Sequence, residues 1–176
     1  MANREALREL QSRLASRLQA ARTEGVQASW LAVESAGARY LFPLAQSGEI
    51  FPFVNAQPVP YTQAWFLGVA NLRGGLYGVV DLAGFVAGRA PAMRSDATRA
   101  ESRLVALNSM LEVNCALLIE RLAGLRNLDA FSSSAQPPEG SPGYFGSGYT
   151  DANGTYWQEI NLQALSQQPQ FLSISA

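Results

Sequence analysis

The stretch WFLGVANLRGGLYGVVDLAGFVAG, residues 65–88, decides the fold class predicted for this chain. It is apolar and rich in glycine, and its β-branched and aromatic residues are typical of buried strands. Two charged residues interrupt it, Arg73 and Asp81. Because an unpaired charge is costly to bury, we expect each of them to be paired, to lie at the surface or to contact a partner.

A tight turn divides this stretch into the two strands of a hairpin. With a turn at Gly74 and Gly75, Arg73 pairs with Leu76, and alternate residues share a face of the hairpin. The face opposite Arg73 then holds Leu72, Tyr77, Ala70 and Val79. Both faces are mostly apolar, which favours a central position in a sheet.

Short strand-like segments separated by turns fill most of the chain from Trp30 onward. These segments are WLAVES, RYLFPL, EIFPFV, SRLVALNS, LEVNCALLIERL, TYWQEINL and QFLSIS. The segment 132–150 is rich in Ser, Pro and Gly and predicts a long loop, and QALSQQ predicts a short helical or turn element. Many short strands with few helices indicate an all-β barrel or sandwich.

Residues 4–22, REALRELQSRLASRLQAAR, form the one strongly helical pattern. Apolar residues recur in it at spacings of three and four: Leu7, Leu10, Leu14, Leu18 and Ala21. We expect residues 1–25 to form an amphipathic helical extension before a β domain of residues 26–176. The stripe can pack on that domain, which we favour, or dock on a partner helix or an acidic surface.

The composition excludes several classes of active site. Histidine and lysine are absent and all 13 basic residues are arginines, which excludes imidazole triads, P-loops and Schiff-base lysines. Cys115 is the only cysteine and lies in an apolar run, which predicts a buried thiol and neither a disulfide nor a zinc site. We expect no cofactor and no metal. A small-ligand-binding β-barrel and a carboxylate-dependent hydrolase stay open as alternatives.

Charge and hydropathy favour a soluble cytoplasmic protein. A net charge of −1 predicts no nucleic-acid surface, and the N-terminus lacks the apolar segment of a secretory signal. The longest apolar run falls short of the ~20 residues that span a bilayer. We therefore expect no direct membrane insertion.

The hairpin sequence resembles the signature of the CheW family, the small adaptors of bacterial chemosensory arrays. Of the family pattern F-x-x-G-[VI]-x-N-L-R-G, the part from the first glycine onward is matched from Gly68 to Gly74, with Phe66 one residue closer to that glycine than in the pattern. The V-D-L that ends its next strand is matched at residues 80–82. Upstream, Glu49 and Ile50 match the end of the family's V-x-E-I. Ser47 stands where the family usually has an apolar residue.

Downstream, residues 104–122 resemble the family's second hairpin, with Ala116 in place of a glycine and Glu120 in place of an aspartate. This divergent hairpin and the N-terminal extension resemble the CheW-like proteins of chemosensory systems that control type IV pili. They resemble the adaptor of flagellar chemotaxis less.

The resemblance implies two five-stranded SH3-like β-barrel subdomains and a non-catalytic scaffold. Such an adaptor couples the cytoplasmic tip of a chemoreceptor, a methyl-accepting protein, to the CheW-like regulatory domain of a histidine kinase. The pathway implied is twitching motility, and the location is the cytoplasm beside membrane-bound receptor arrays.

The resemblance also implies a partner-binding site formed by Glu49, Gly68, Asn71, Arg73 and Gly74. Glu49 is the expected counter-ion of Arg73, because a carboxylate can hold a guanidinium in position before a partner binds. Alternatively, the pair only ties two strands together, Asn71 only satisfies backbone groups and the glycines serve backbone geometry. Asp81 is expected to accept backbone N–H bonds where its strand ends.

Overall fold

A computed structural model describes the backbone of residues 2–91 and 93–176 and the side chains of residues 5–17, 29–91 and 93–176. Eleven strands in the described part of the chain form two sheets. The first sheet contains β1 (Ala28–Ser35), β2 (Ala38–Pro43), β8 (Arg121–Asn127), β9 (Phe131–Ala135), β10 (Phe145–Asp151) and β11 (Tyr156–Ile160). The second contains β3 (Ser47–Pro52), β4 (Phe66–Leu72), β5 (Gly75–Asp81), β6 (Arg103–Leu107) and β7 (Cys115–Ile119).

The strand orders are β8-β1-β2-β11-β10-β9 in the six-stranded sheet and β3-β6-β7-β5-β4 in the five-stranded sheet. The α-helices are α1 (Ala2–Gln27), α2 (Leu82–Ala87), α3 (Asp96–Glu101), α4 (Leu162–Gln167) and α5 (Pro169–Leu172). Three short 3-10 helices cover Leu44–Gln46, Ser109–Leu111 and Leu128–Ala130. The mostly-β class and the N-terminal helix are confirmed, although β9 gives one sheet six strands instead of five. Among the described residues, no helix is long and apolar enough to cross a bilayer.

Strands that are apolar on both faces divide the interior into three clusters. On β6, Val105 and Leu107 face the cluster that both sheets share, whereas Leu104 and Ala106 face a cluster within the five-stranded sheet. A third cluster, which includes Trp30, lies within the six-stranded sheet. Each sheet therefore has its own core, and a common core joins the two.

The five-stranded sheet curls so that its two ends meet. β3 and β4 are its edge strands, yet Phe51 of β3 and Leu72 of β4 lie in one apolar cluster. The rings of Phe51 and Tyr77 also lie 5.9 Å apart, centroid to centroid. This curvature brings β3 beside the turn between β4 and β5.

The hairpin of β4 and β5 has the predicted faces but a different turn, and it lies at one end of its sheet, so the predicted central position is wrong for β4. Leu72 pairs with Gly75, so the two turn residues are Arg73 and Gly74, and the predicted pairing of Arg73 with Leu76 is wrong. Their φ angles of +48° and +81° are those of a type I′ turn, whose twist matches that of antiparallel strands. The turn lies one residue earlier than predicted, so each residue of β4 pairs with a residue two positions earlier on β5. Because side chains alternate between faces with a period of two, one buried face still holds Leu72, Tyr77, Ala70 and Val79.

Three other predictions of local structure are wrong. Residues 82–87, predicted as strand, form α2, because a short apolar run does not distinguish a buried strand from a buried helix. Residues 170–172 of the predicted final strand lie in α5, which begins with Pro169 at a position where proline favours a helix start. The predicted loop at 132–150 contains most of β9 and β10.

The N-terminal helix does not pack on the β domain through its described side chains. Residues 5–17 are all exposed, with Leu7 and Leu10 each 59% and Leu14 53% accessible. The favoured packing of the stripe is therefore wrong for these three leucines. Leu18 and Ala21 lie outside the described side chains.

Candidate functional site

The strongest candidate site is the exposed ion pair of Glu49 and Arg73. Glu49 lies on β3 and Arg73 in the turn between β4 and β5, and the two side chains are in contact. Because β3 and β4 are at opposite ends of the sheet, the two side chains are brought together by the curl of the sheet and not by strand pairing. The side chains are 44% and 77% accessible, so a partner can reach both ions.

The turn fixes the backbone at Arg73. Arg73 has the left-handed φ of +48°, uncommon for a residue with a side chain. The Asn71 side-chain oxygen accepts a hydrogen bond of 2.9 Å from the Gly74 N–H. Asn71 therefore satisfies the backbone at the turn, as the alternative for this residue predicted.

Gly68 and Gly74 have different surroundings. Gly68 has a φ of +131°, and a Cβ there would lie 2.0 Å from the Gln57 carbonyl oxygen. Gln57 forms two backbone hydrogen bonds with Val69, of 2.7 and 2.9 Å, so Gly68 makes room for a segment of its own chain. Gly74 has open space where its side chain would be and needs only its positive φ.

The surface around the ion pair is partly apolar. Ile50 follows Glu49 on β3, Leu76 pairs with Asn71 beside the turn, and both are exposed. A cavity of about 190 Å³ beside Glu49 is lined by Gly48, Glu49, Tyr77, Ala106, Leu107, Asn108, Ser109 and Asn114. Exposed apolar groups beside an ion pair that is already held in position are typical of a protein-binding surface.

Ser47 lies at the start of β3 and turns its hydroxyl toward its own chain. The Ser47 Oγ donates a hydrogen bond of 2.9 Å to the Pro43 carbonyl. This hydrogen bond spans the short 3-10 helix that precedes the strand, and the hydroxyl proton is therefore not free for a partner.

A second ion pair, which the sequence did not reveal, lies beneath the surface. Asp81 is almost fully buried, and its carboxylate contacts the Arg94 guanidinium. The other Asp81 oxygen accepts a hydrogen bond of 2.8 Å from the Gly84 N–H, so Asp81 caps α2 and does not simply end its strand. Arg94 comes from the loop before α3, a position with no pattern that could predict its partner.

The one cysteine of the chain lies in the interior. Burial raises the pKa of the Cys115 thiol to about 12, which keeps it protonated and unreactive near neutral pH. The described residues contain no group of three or more histidine, cysteine, aspartate or glutamate side chains that could hold a metal ion.

Comparison with known proteins identifies the family. A sequence model of the CheW-like domain matches residues 29–170. The chain belongs to the CheW-like domain family. The match begins after the N-terminal helix and includes both sheets, so the exposed ion pair lies inside the family domain.

Two relatives support this assignment. The chain is 28% identical to the protein PilI of Pseudomonas aeruginosa over 159 residues, which are 88% of this chain and 85% of PilI. Its fold is also similar to the crystal structure of the scaffolding protein TtCheW from Thermoanaerobacter tengcongensis, with a TM-score of 0.61 and 16% identity. That alignment covers 76% of this chain and 88% of TtCheW. The predicted CheW-like fold is confirmed.

Proposed function

We propose that this chain is a non-catalytic adaptor that couples a chemoreceptor to a histidine kinase in a chemosensory pathway controlling type IV pilus twitching motility. Membership of the CheW-like family supports the adaptor role, and the similarity to PilI supports the pilus pathway. The adaptor acts in the cytoplasm beside the receptor arrays. A small-ligand-binding barrel is not favoured, because each sheet has a core filled by its own side chains.

The observation that carries the proposal is the exposed Glu49–Arg73 pair on the curled end of the five-stranded sheet. Two ions held together at the surface contribute little to stability, since water screens them. Held in position, they lose less side-chain entropy when a receptor helix binds. Glu49 and Arg73 orient the receptor tip, and exposed apolar neighbours such as Ile50 and Leu76 supply most of the affinity.

The other proposed site residues support this surface. Asn71 and Gly74 fix the turn that presents Arg73, through the hydrogen bond between them. Gly68 acts indirectly, because its lack of a side chain leaves room for the segment at Gln57 beside β4. We assign residues 1–25 to a separate helical extension and residues 26–176 to the adaptor domain.

Binding of purified partners tests the proposal. The probes are the cytoplasmic tip of a receptor and the CheW-like regulatory domain of the kinase, each titrated into the full chain by isothermal calorimetry. We expect Arg73→Glu to weaken receptor binding at least about tenfold, because the variant places two carboxylates together in the interface. Kinase binding should be unchanged.

The matched control is Arg89→Glu, which reverses an exposed arginine in the loop after α2. Equal losses from both variants would show that only net charge matters and would contradict the site. If the chain failed to bind one or both of the probes, the adaptor role would be contradicted. Deletion of residues 1–24 should leave both affinities unchanged.

A further inference from the structure

The pairing of β3 with β6 is irregular at the exposed ion pair. The pairs on either side of the irregularity are, in order along β3, Ser47 with Leu107 and Ile50 with Val105. Between them β3 has two residues, Gly48 and Glu49, whereas β6 has only Ala106. The extra residue makes a β-bulge, and the carboxylate of the candidate site belongs to it.

Gly48 fits this bulge because it has no side chain. A Cβ at this position would lie 2.7 Å from the Leu107 carbonyl oxygen and 3.1 Å from the Ala106 carbonyl oxygen. Both atoms belong to the backbone of β6, so neither can rotate away as the end of a side chain would. A methyl group at Gly48 must therefore displace β3 from β6.

The chain is fixed on both sides of the bulge. Before it, the Gln46 carbonyl accepts a hydrogen bond of 2.9 Å from the Asn108 N–H, and the Gln46 side chain accepts one of 2.8 Å from the Leu162 N–H. After it, Phe51 is buried in the core of the five-stranded sheet. Because both flanks are held, a displacement inside the bulge falls on Glu49.

Space, and not backbone conformation, is what this position needs. Gly48 does not have a positive φ, in contrast to Gly74 in the turn that presents Arg73. Gly48 and Glu49 both line the cavity of about 190 Å³ described above. The missing side chain therefore lets the strands approach each other and leaves the cavity open beside the carboxylate.

We propose that Gly48 is a positioning residue of the receptor-binding surface, because the bulge that it permits sets where the Glu49 carboxylate meets Arg73. Bulges beside functional sites commonly change the direction of a side chain, and a recognition site needs its groups held to within about 0.5 Å. Gly48 acts through Glu49 and offers no side chain of its own. This role rests on the proposed function, but the placement of Glu49 can be measured without a receptor.

Crystal structures of the unchanged chain and of Gly48→Ala test the placement directly. We expect the contact between Glu49 and Arg73 in the first and its loss in the second. The matched control is Gly78→Ala, which adds the same methyl group to β5 of the same sheet. Its nearest neighbour, 3.0 Å away, is the Phe66 ring and not backbone, so the control should keep the contact.

Calorimetric titration with the receptor tip measures the consequence. Gly48→Ala should weaken binding about fivefold, because it displaces a charge of the interface. In a Glu49→Gln background the same substitution should change the affinity less than about twofold, because a residue that acts through a charge has no further effect once that charge is removed. Gly78→Ala should leave the affinity unchanged in both backgrounds.

Three results would overturn the proposal. The first is a Gly48→Ala structure in which Glu49 still contacts Arg73 as before. The second is a Gly48→Ala chain whose circular dichroism shows a lost fold, since Gly48 would then serve the fold and not the site. The third is an equal loss of affinity with and without the Glu49 charge. Failure of the unchanged chain to bind the receptor tip would instead contradict the proposed function, and the crystal structures would still decide whether Gly48 positions Glu49.

Discussion

Two of the arginine–carboxylate pairs in this molecule differ in their surroundings, because one lies on the surface and the other in the interior. In the pair of Arg73 and Glu49 the side chains are 77% and 44% accessible, whereas Arg94 and Asp81 are 11% and 1% accessible. Both carboxylates, Glu49 and Asp81, lie in the five-stranded sheet, and Arg73 and Asp81 belong to the same hairpin. The hairpin thus carries one ion outward at its turn and another inward at its far end.

Burial gives the two pairs different consequences. Removing one member of a buried pair leaves an uncompensated charge in a poor solvent for ions, whereas an exposed ion that loses its partner is solvated by water. Arg94 depends strongly on Asp81, because its buried Nε has no hydrogen-bond partner and its nearest other carboxylate, Glu120, is 3.8 Å away. The buried pair therefore maintains the fold, and the exposed pair is available for recognition.

The largest effect is expected from Asp81→Ala. The substitution removes the cap of α2 and leaves Arg94 buried without its counter-ion, so the free energy of unfolding should fall by about 3–5 kcal/mol. Urea denaturation followed by circular dichroism measures this change. Asp96→Ala, at an exposed position in the first turn of α3, is the control and should cost less than about 1 kcal/mol.

A double variant separates the charge from the cap. Asp81→Asn alone and Asp81→Asn with Arg94→Met both keep an oxygen that can accept from the Gly84 N–H, but only the single variant leaves the Arg94 charge without a counter-ion. The double variant should therefore be the more stable of the two. If the single and double variants lost equal stability, the uncompensated charge would not be the cause.

The contrast between the pairs also shows how far the sequence predicts this molecule. Alternation of apolar residues predicted the strands and the buried face of the hairpin, because the side-chain period of a strand is a local property. The exposed pair could be predicted because both ions lie in family motifs. The packing that brings them together, the curl of the five-stranded sheet, has no such local signal.

The buried pair was missed for the same physical reason. Arg94 lies in the irregular segment between α2 and α3, and no periodic pattern relates it to Asp81, 13 residues earlier. The helix α2 was missed because its run of LAGFVA is apolar in any conformation, and the cap that decides it, Asp81, was assigned to a strand end. Long-range pairing and capping depend on tertiary packing, which a local pattern does not contain.

Two glycines of the same hairpin extend the comparison between interior and surface. Gly68→Ala should lower the free energy of unfolding by at least about 2 kcal/mol, since its Cβ would collide with the Gln57 carbonyl in an already strained conformation. Gly74→Ala meets only open space and should cost about 1 kcal/mol for its left-handed φ. Chemical denaturation of both variants checks the order, and the reverse order would contradict the packing described at Gln57.

Alkaline pH isolates a buried group that has no counter-ion. The Cys115 thiol has a pKa of about 12 in the folded chain, whereas an unfolded thiol ionises near pH 8.5. Above about pH 8.5 the unfolded state loses a proton that the folded state keeps, so stability falls as pH rises. Between pH 8 and 9.5 the expected loss is about 1 kcal/mol.

Denaturation curves at several pH values measure this slope. Cys115→Ala is the control, because it should lose the slope in this range while the buried tyrosines stay protonated in both chains. Equal slopes in the two chains would mean that the thiol is not responsible for the pH dependence.

The smallest effect on stability is expected at the exposed pair, where a double-mutant cycle gives the sharpest test of the comparison. Glu49→Gln, Arg73→Gln and the double variant should give a coupling energy of about 0.2–1 kcal/mol that decreases as salt is added. The same three variants should show a larger coupling in receptor binding, because the interface excludes water from the pair. A coupling in stability as large as that expected for Asp81 and Arg94 would instead make the exposed pair a tie between the two ends of the sheet. The cycle thus decides whether Arg73 is kept for the fold or for a partner.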